Sequence, residues 1–131
     1  MSFNFYLYRA AEGLPPMNEW EEMHAAPLGK MEEVVRKLDS VLGGLHWSMV
    51  EDAWNGLGTE QDRYYLDIWL HPDEDGVLRF IVMNKAPPSA MRKVCSAFDL
   101  NYVAAPEAAD LVDIHAYDDG DVYYAKKGPV T

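Results

Sequence analysis

Residues 62–84 constrain the fold more than any other part of the chain. Tyr64, Leu66, Ile68 and Leu70 alternate with Arg63, Tyr65, Asp67, Trp69 and His71. Such period-two alternation predicts a strand over 62–71 with one buried face. The next residues are Pro72-Asp73-Glu74-Asp75-Gly76. Proline presets φ, aspartate bonds its own backbone and glycine allows positive φ, so this run predicts a turn. Residues 77–84 return as a second strand, with Leu78, Phe80 and Val82 inward and Arg79 outward. Strands joined this closely pair antiparallel. The parity then places Arg79 beside Asp67 or Trp69 on the outer face.

Two helices are predicted. In residues 30–42, Met31, Val34, Val35, Leu38, Val41 and Leu42 form one apolar stripe. Glu32–Arg36 and Glu33–Lys37 stand at i,i+4 in the favourable orientation. Gly43-Gly44 ends this helix. Pro87-Pro88-Ser89 opens the second, because proline is tolerated in a first turn. Met91, Val94, Cys95 and Phe98 are its stripe.

The remaining segments are strands and loops. Residues 2–9 alternate, with Phe3, Phe5 and Leu7 on one face and Asn4, Tyr6 and Tyr8 on the other. Residues 11–28 hold Gly13, Pro15, Pro16 and Pro27 and predict a long loop with a short helical turn near its middle. Residues 45–51 predict a strand, with Leu45, Trp47 and Met49 opposed to His46 and Ser48. Trp54, Gly56, Leu57 and Gly58 predict an irregular link. Residues 101–104 predict a short strand, 106–109 a turn or short helix, and 111–125 a weak hairpin turning at Asp118-Asp119-Gly120. Residues 126–131 predict a frayed tail.

This order gives one α+β domain over residues 1–131: an antiparallel sheet of about five strands with two main helices packed on one face. Two helices cover one face only, so the other meets solvent or a partner. That face carries Asn4, Tyr6, Tyr8, Tyr65, Asp67, Trp69 and Arg79.

Charge narrows the partner. Eleven Lys and Arg stand against 22 Asp and Glu, a net charge of −11. Phosphate binding needs clustered cations, so nucleic acid is not the expected partner. Anionic membranes are repelled for the same reason. Solubility accounts for such a charge in the plainest way; a basic protein partner steered in by a complementary field is the sharper reading. One cysteine, Cys95, excludes an internal disulfide and fits a reducing compartment. No signal peptide and no apolar run of the ~20 residues needed to span a bilayer is read, so a cytoplasmic location is expected.

Catalytic and cofactor motifs are weak. His24, His46, His71 and His115 lie in different elements, without the spacing of a zinc site. Cys95 reads as a small packed hydrophobe. Asp73-Glu74-Asp75-Gly76 and Asp118-Asp119-Gly120-Asp121 are too short to wrap calcium and read as turns. No serine stands in a G-x-S-x-G context, and Gly43-Gly44 and Gly56-Leu57-Gly58 continue into no phosphate loop. No cofactor, no metal and no catalytic residue is therefore expected.

Aromatics carry more information. Tyr6, Tyr8, Tyr65 and Trp69 share strand faces with polar residues. Either the loop over residues 10–28 covers them, or they form a contact surface, where Tyr, Trp and Arg supply most of the energy. On the second reading Glu19, Glu21, Glu22, Asp67, Asp73, Glu74 and Asp75 rim the surface, and Arg79 joins it.

The hairpin YYLDIWLHPDEDGVLRFIVMN and the segment PPSAMRKVCSAFDLNYVAAPEAADLVD span about a third of the chain. In pattern and acidity they resemble small bacterial immunity proteins encoded beside secreted toxins of contact-dependent and type VI systems. That resemblance implies a non-enzymatic protein that binds and blocks one basic cognate toxin. The alternative is a small-ligand or enzymatic domain using a pocket between the sheet and loop 10–28.

Overall fold

The structure is a computed structural model that describes residues 4–10, 26–58, 66–84, 86–105 and 110–111. In chain order the elements are β1 (Asn4–Tyr8), β2 (Gly29–Lys30), α1 (Met31–Leu42), β3 (His46–Val50), β4 (Ala53–Leu57) and β5 (Asp67–Leu70). They continue with β6 (Val77–Leu78), β7 (Phe80–Asn84), α2 (Pro88–Phe98), β8 (Tyr102–Ala105) and β9 (Asp110–Leu111). Among the described residues the main sheet has seven strands in the order β3-β4-β5-β7-β1-β8-β9, every pair antiparallel. A two-stranded ribbon, β2-β6, stands apart. The fold is α+β, with both helices on one face of the sheet. Expected features over 11–25, 59–65, 106–109 and 112–131 lie outside the described residues; they include the weak hairpin at Asp118-Asp119-Gly120.

The core lies between helices and sheet. Phe5, Leu7, Ile68, Leu70, Ile81, Met83 and Val103 come from the strands. Val34 and Leu38 come from α1, and Ala90, Met91, Val94 and Phe98 from α2. Both helical stripes therefore do what their spacing predicts; burying each large side chain contributes about 1.5–3 kcal/mol. The expected i,i+4 pairs of α1 do not close as ion pairs among the described residues. Lys37 Nζ instead lies 4.9 Å from the centre of the Phe98 ring on α2, and the Glu33 carboxylate accepts the Lys30 N–H at 3.4 Å. α1 ends where the Gly43 N–H reaches the Asp39 carbonyl at 2.9 Å.

Residues 53–57 correct the expectation of an irregular link: they are β4, paired to β3 through the two-residue turn Glu51-Asp52. Asn and Gly are poor strand formers, and each has a specific reason here. Asn55 is buried, and its amide donates to Asp67 Oδ1 at 2.7 Å and to the Ile68 carbonyl at 3.1 Å. Gly56 stands opposite Trp47, whose ring lies so close that a Cβ on Gly56 would meet it at 2.7 Å.

The hairpin over residues 67–84 is present, with Asp67 opposite Asn84 and Trp69 opposite Val82. Its return strand departs from the simple parity. Val77–Leu78 leave the main sheet and pair with Gly29–Lys30. Leu78 joins the helix-side core, as do Ile81 and Met83. Phe80 and Val82 therefore point to the opposite face, not inward with Leu78. Phe80-Ile81-Val82-Met83 is apolar at every position and buried throughout, so alternation there names no face.

Candidate functional site

The face away from the helices is built by register. β1 places Tyr6 beside Val82 and Ala104, and Tyr8 beside Phe80 and Tyr102. β5 adds Asp67 and Trp69, with His71 just beyond its end. These rings form two stacked groups that meet in one apolar cluster. Trp69 stacks on His71 with centroids 6.3 Å apart, and His71 meets Phe80 at 6.3 Å. Phe80 stacks on Tyr6 at 5.4 Å, and Tyr8 stacks on Tyr102 at 5.4 Å. Each such pair contributes about 0.5–1.5 kcal/mol beyond its buried area.

The rings are uneven in exposure. Tyr8 is 1% exposed, so its ring is packing rather than contact surface, unlike the expectation. Burial, with Tyr102 adding to it, pushes the Tyr8 phenol up to about 12. Phe80, Val82 and Ala104 are buried with it in a second apolar cluster. Tyr6, Trp69 and Tyr102 are half-buried and His71 is exposed. Phe80 and Tyr102 were not legible as members: parity assigned Phe80 to the core, and nothing in residues 101–104 names β1 as their neighbour.

One end of the face is polar and rich in acceptors. Asp67 and Asn84 oppose each other across β5 and β7. Asp67 accepts the Asn55 amide. Asn84 Oδ1 is buried without a hydrogen-bond partner among the described residues.

The turn after β5 divides its carboxylates by role. Asp73 Oδ1 accepts the backbone N–H of Asp75 at 2.9 Å and of Val77 at 3.0 Å. The Val77 bond, helped by the Asp75 bond and Arg79, holds the Asp73 carboxyl below the usual carboxylate range against a smaller desolvation effect. Asp73 thus ties the turn, while Glu74 and Asp75 stand exposed. Gly76 has φ 76°, the positive value the turn chemistry predicts. Arg79 corrects its predicted place. It is not beside Asp67 or Trp69, whose partners are Asn84 and Val82. Its Nε lies 3.6 Å from Asp73 Oδ2, because the chain turns at Arg79 between β6 and β7.

Of the expected contact residues, Tyr6, Tyr8, Asp67 and Trp69 share this face, and Asp73, Glu74, Asp75 and Arg79 belong to the adjoining turn. Glu19, Glu21, Glu22 and Tyr65 lie outside the described residues, as does most of loop 10–28. Among the described residues no group of three or more His, Cys, Asp and Glu side chains is placed to hold a metal. Cys95 lies partly buried on α2, and burial pushes its thiol up to about 11. A depression of about 510 Å³ lies elsewhere, lined by Val41 of α1 and by Ser89, Arg92, Lys93, Ser96 and Ala97 of α2. No described helix is long and apolar enough to cross a membrane.

Comparison of the chain with family models, with curated proteins and with solved structures finds no match.

Proposed function

We propose that this chain is a non-enzymatic protein-binding domain that engages a basic partner through its outer face, most concretely an immunity protein that binds and blocks a basic toxin. One observation carries the reading. The hairpin joins the accessible aromatics Trp69 and His71 to the exposed carboxylates Glu74 and Asp75 in one short segment. An aromatic anchor supplies contact area at low entropic cost, and flanking carboxylates steer in and select a cationic surface. The net charge of −11 supplies the long-range field. The pattern resemblance to immunity proteins adds the class of partner, a secreted toxin, and with it a location in the bacterial cytoplasm.

The test is co-purification of the intact chain from its native cell, with the bound protein identified and then purified. The reading expects a protein with a basic surface, held about tenfold or more weakly by Trp69→Ala. A partner that binds Trp69→Ala as tightly as wild type would contradict it.

A further inference from the structure

We propose that the outer edge of β3, which no described strand pairs, is a second docking site, which takes an extended segment of a partner protein alternating apolar residues with lysine or arginine. It stands whether or not the outer face engages the partner proposed above. Among the described residues the exposed large hydrophobics are Met49, Val50 and Leu57, at 64%, 44% and 42%. All three lie on the β3–β4 hairpin, at one end of the strand order. Scattered exposed apolar side chains need no explanation, but Met49 and Val50 are neighbours on the terminal strand itself, while Leu57 lies on the strand next to it.

The backbone says what kind of occupant fits. Proteins blunt sheet edges with lysine, proline or bulges. The five residues His46-Trp47-Ser48-Met49-Val50 carry none of these, and their register with β4 is unbroken. A two-residue turn makes Val50 and Ala53 the mutually hydrogen-bonded pair. The N–H and C=O groups of Trp47 and Met49 therefore turn away from β4, toward the edge. Such a row recognises another strand.

Charge decides between occupants. The hairpin ends in Glu51 and Asp52, both exposed. Glu51 has φ 56°, a left-handed value that glutamate rarely takes. A second copy of this chain would bring another net charge of −11 against the same edge. A basic strand instead lays its apolar side chains on the face of Met49 and its cations on the other, and its charge is opposite to that of the turn acids Glu51 and Asp52.

The test uses the intact ¹⁵N-labelled chain with two short synthetic peptides, one alternating valine and lysine, the other valine and glutamate. The lysine peptide should slow amide hydrogen exchange at Trp47 and Met49 by about tenfold at saturation. The glutamate peptide should leave it unchanged. Met49→Lys, on an exposed side chain, should melt as wild type does and lose the protection. No protection by the lysine peptide, or equal protection by both, would overturn the proposal. So would protection that grows with protein concentration alone, which assigns the edge to a second copy.

Discussion

The indole Nε1–H of Trp47 donates to Asp39 Oδ1 at 2.9 Å, and the same oxygen accepts the Leu45 N–H at 2.9 Å. One carboxylate near the end of α1 thereby anchors both the approach to β3 and the ring that covers Gly56. Asp39→Ala leaves two donors without an acceptor and should cost about 2 kcal/mol. Asp39→Asn keeps one carbonyl oxygen and should cost less. Urea unfolding checks both; an alanine variant as stable as wild type would show that water replaces the carboxylate without loss.

The Asp73 carboxylate should make stability pH-dependent in acid. Its folded-state pKa is depressed, chiefly by the Val77 N–H. The ionised form is thus favoured on folding, and its contribution is fully present above the ordinary aspartate range near 3.8. It is lost as pH falls through the lower folded value. Asp73→Asn should unfold more easily than wild type near neutrality, and the gap should narrow as pH falls below about 3.8. A gap independent of pH would contradict this.

Two glycines should respond differently to added side chains. At Gly76 a new Cβ meets nothing within 4 Å, so only the φ of 76° is unfavourable. Gly76→Val should cost about 1–2 kcal/mol. At Gly56 the new atom meets the Trp47 ring at 2.7–2.9 Å. Gly56→Ala must displace that ring and its bond to Asp39, at about 2–3 kcal/mol. Thermal melts separate the two; a Gly56→Ala variant as stable as wild type would contradict the close approach.

The Cys95 thiol should react slowly. With its pKa raised from 9.0 to about 11, its thiolate fraction at pH 8 falls about a hundredfold. Iodoacetamide alkylation of the native chain should be slower than that of free cysteine, by less than that factor because a more basic thiolate is the better nucleophile, and should recover in urea. Equal native and denatured rates would place the thiol in solvent.

Periodic segments were legible and locally contradictory ones were not. Val34, Leu38, Met91, Val94 and Phe98 lie where helical spacing puts them. Phe5 and Leu7 face them from a strand that alternation identified. Residues 53–57 do not read as a strand, because Asn55 and Gly56 argue against one locally, and only the Asp67 carboxylate and the Trp47 ring, brought in by neighbouring strands, satisfy them. The face of Phe80 is not legible, because four successive apolar residues carry no parity. In the candidate site, Trp69 and the turn acids were readable from the hairpin. The burial of Tyr8 and the addition of Tyr102 depend on β1 lying between β7 and β8, a pairing between distant segments that no local pattern encodes.

The most direct test of the outer face as a surface for a basic partner is the association rate of the co-purified protein with Glu74→Lys/Asp75→Lys. These two carboxylates are exposed, whereas Asp73 holds the turn. The double reversal should leave the melting temperature near wild type and slow association about tenfold or more at low ionic strength, the difference shrinking as salt screens the charges. Equal association rates at low ionic strength would contradict the account.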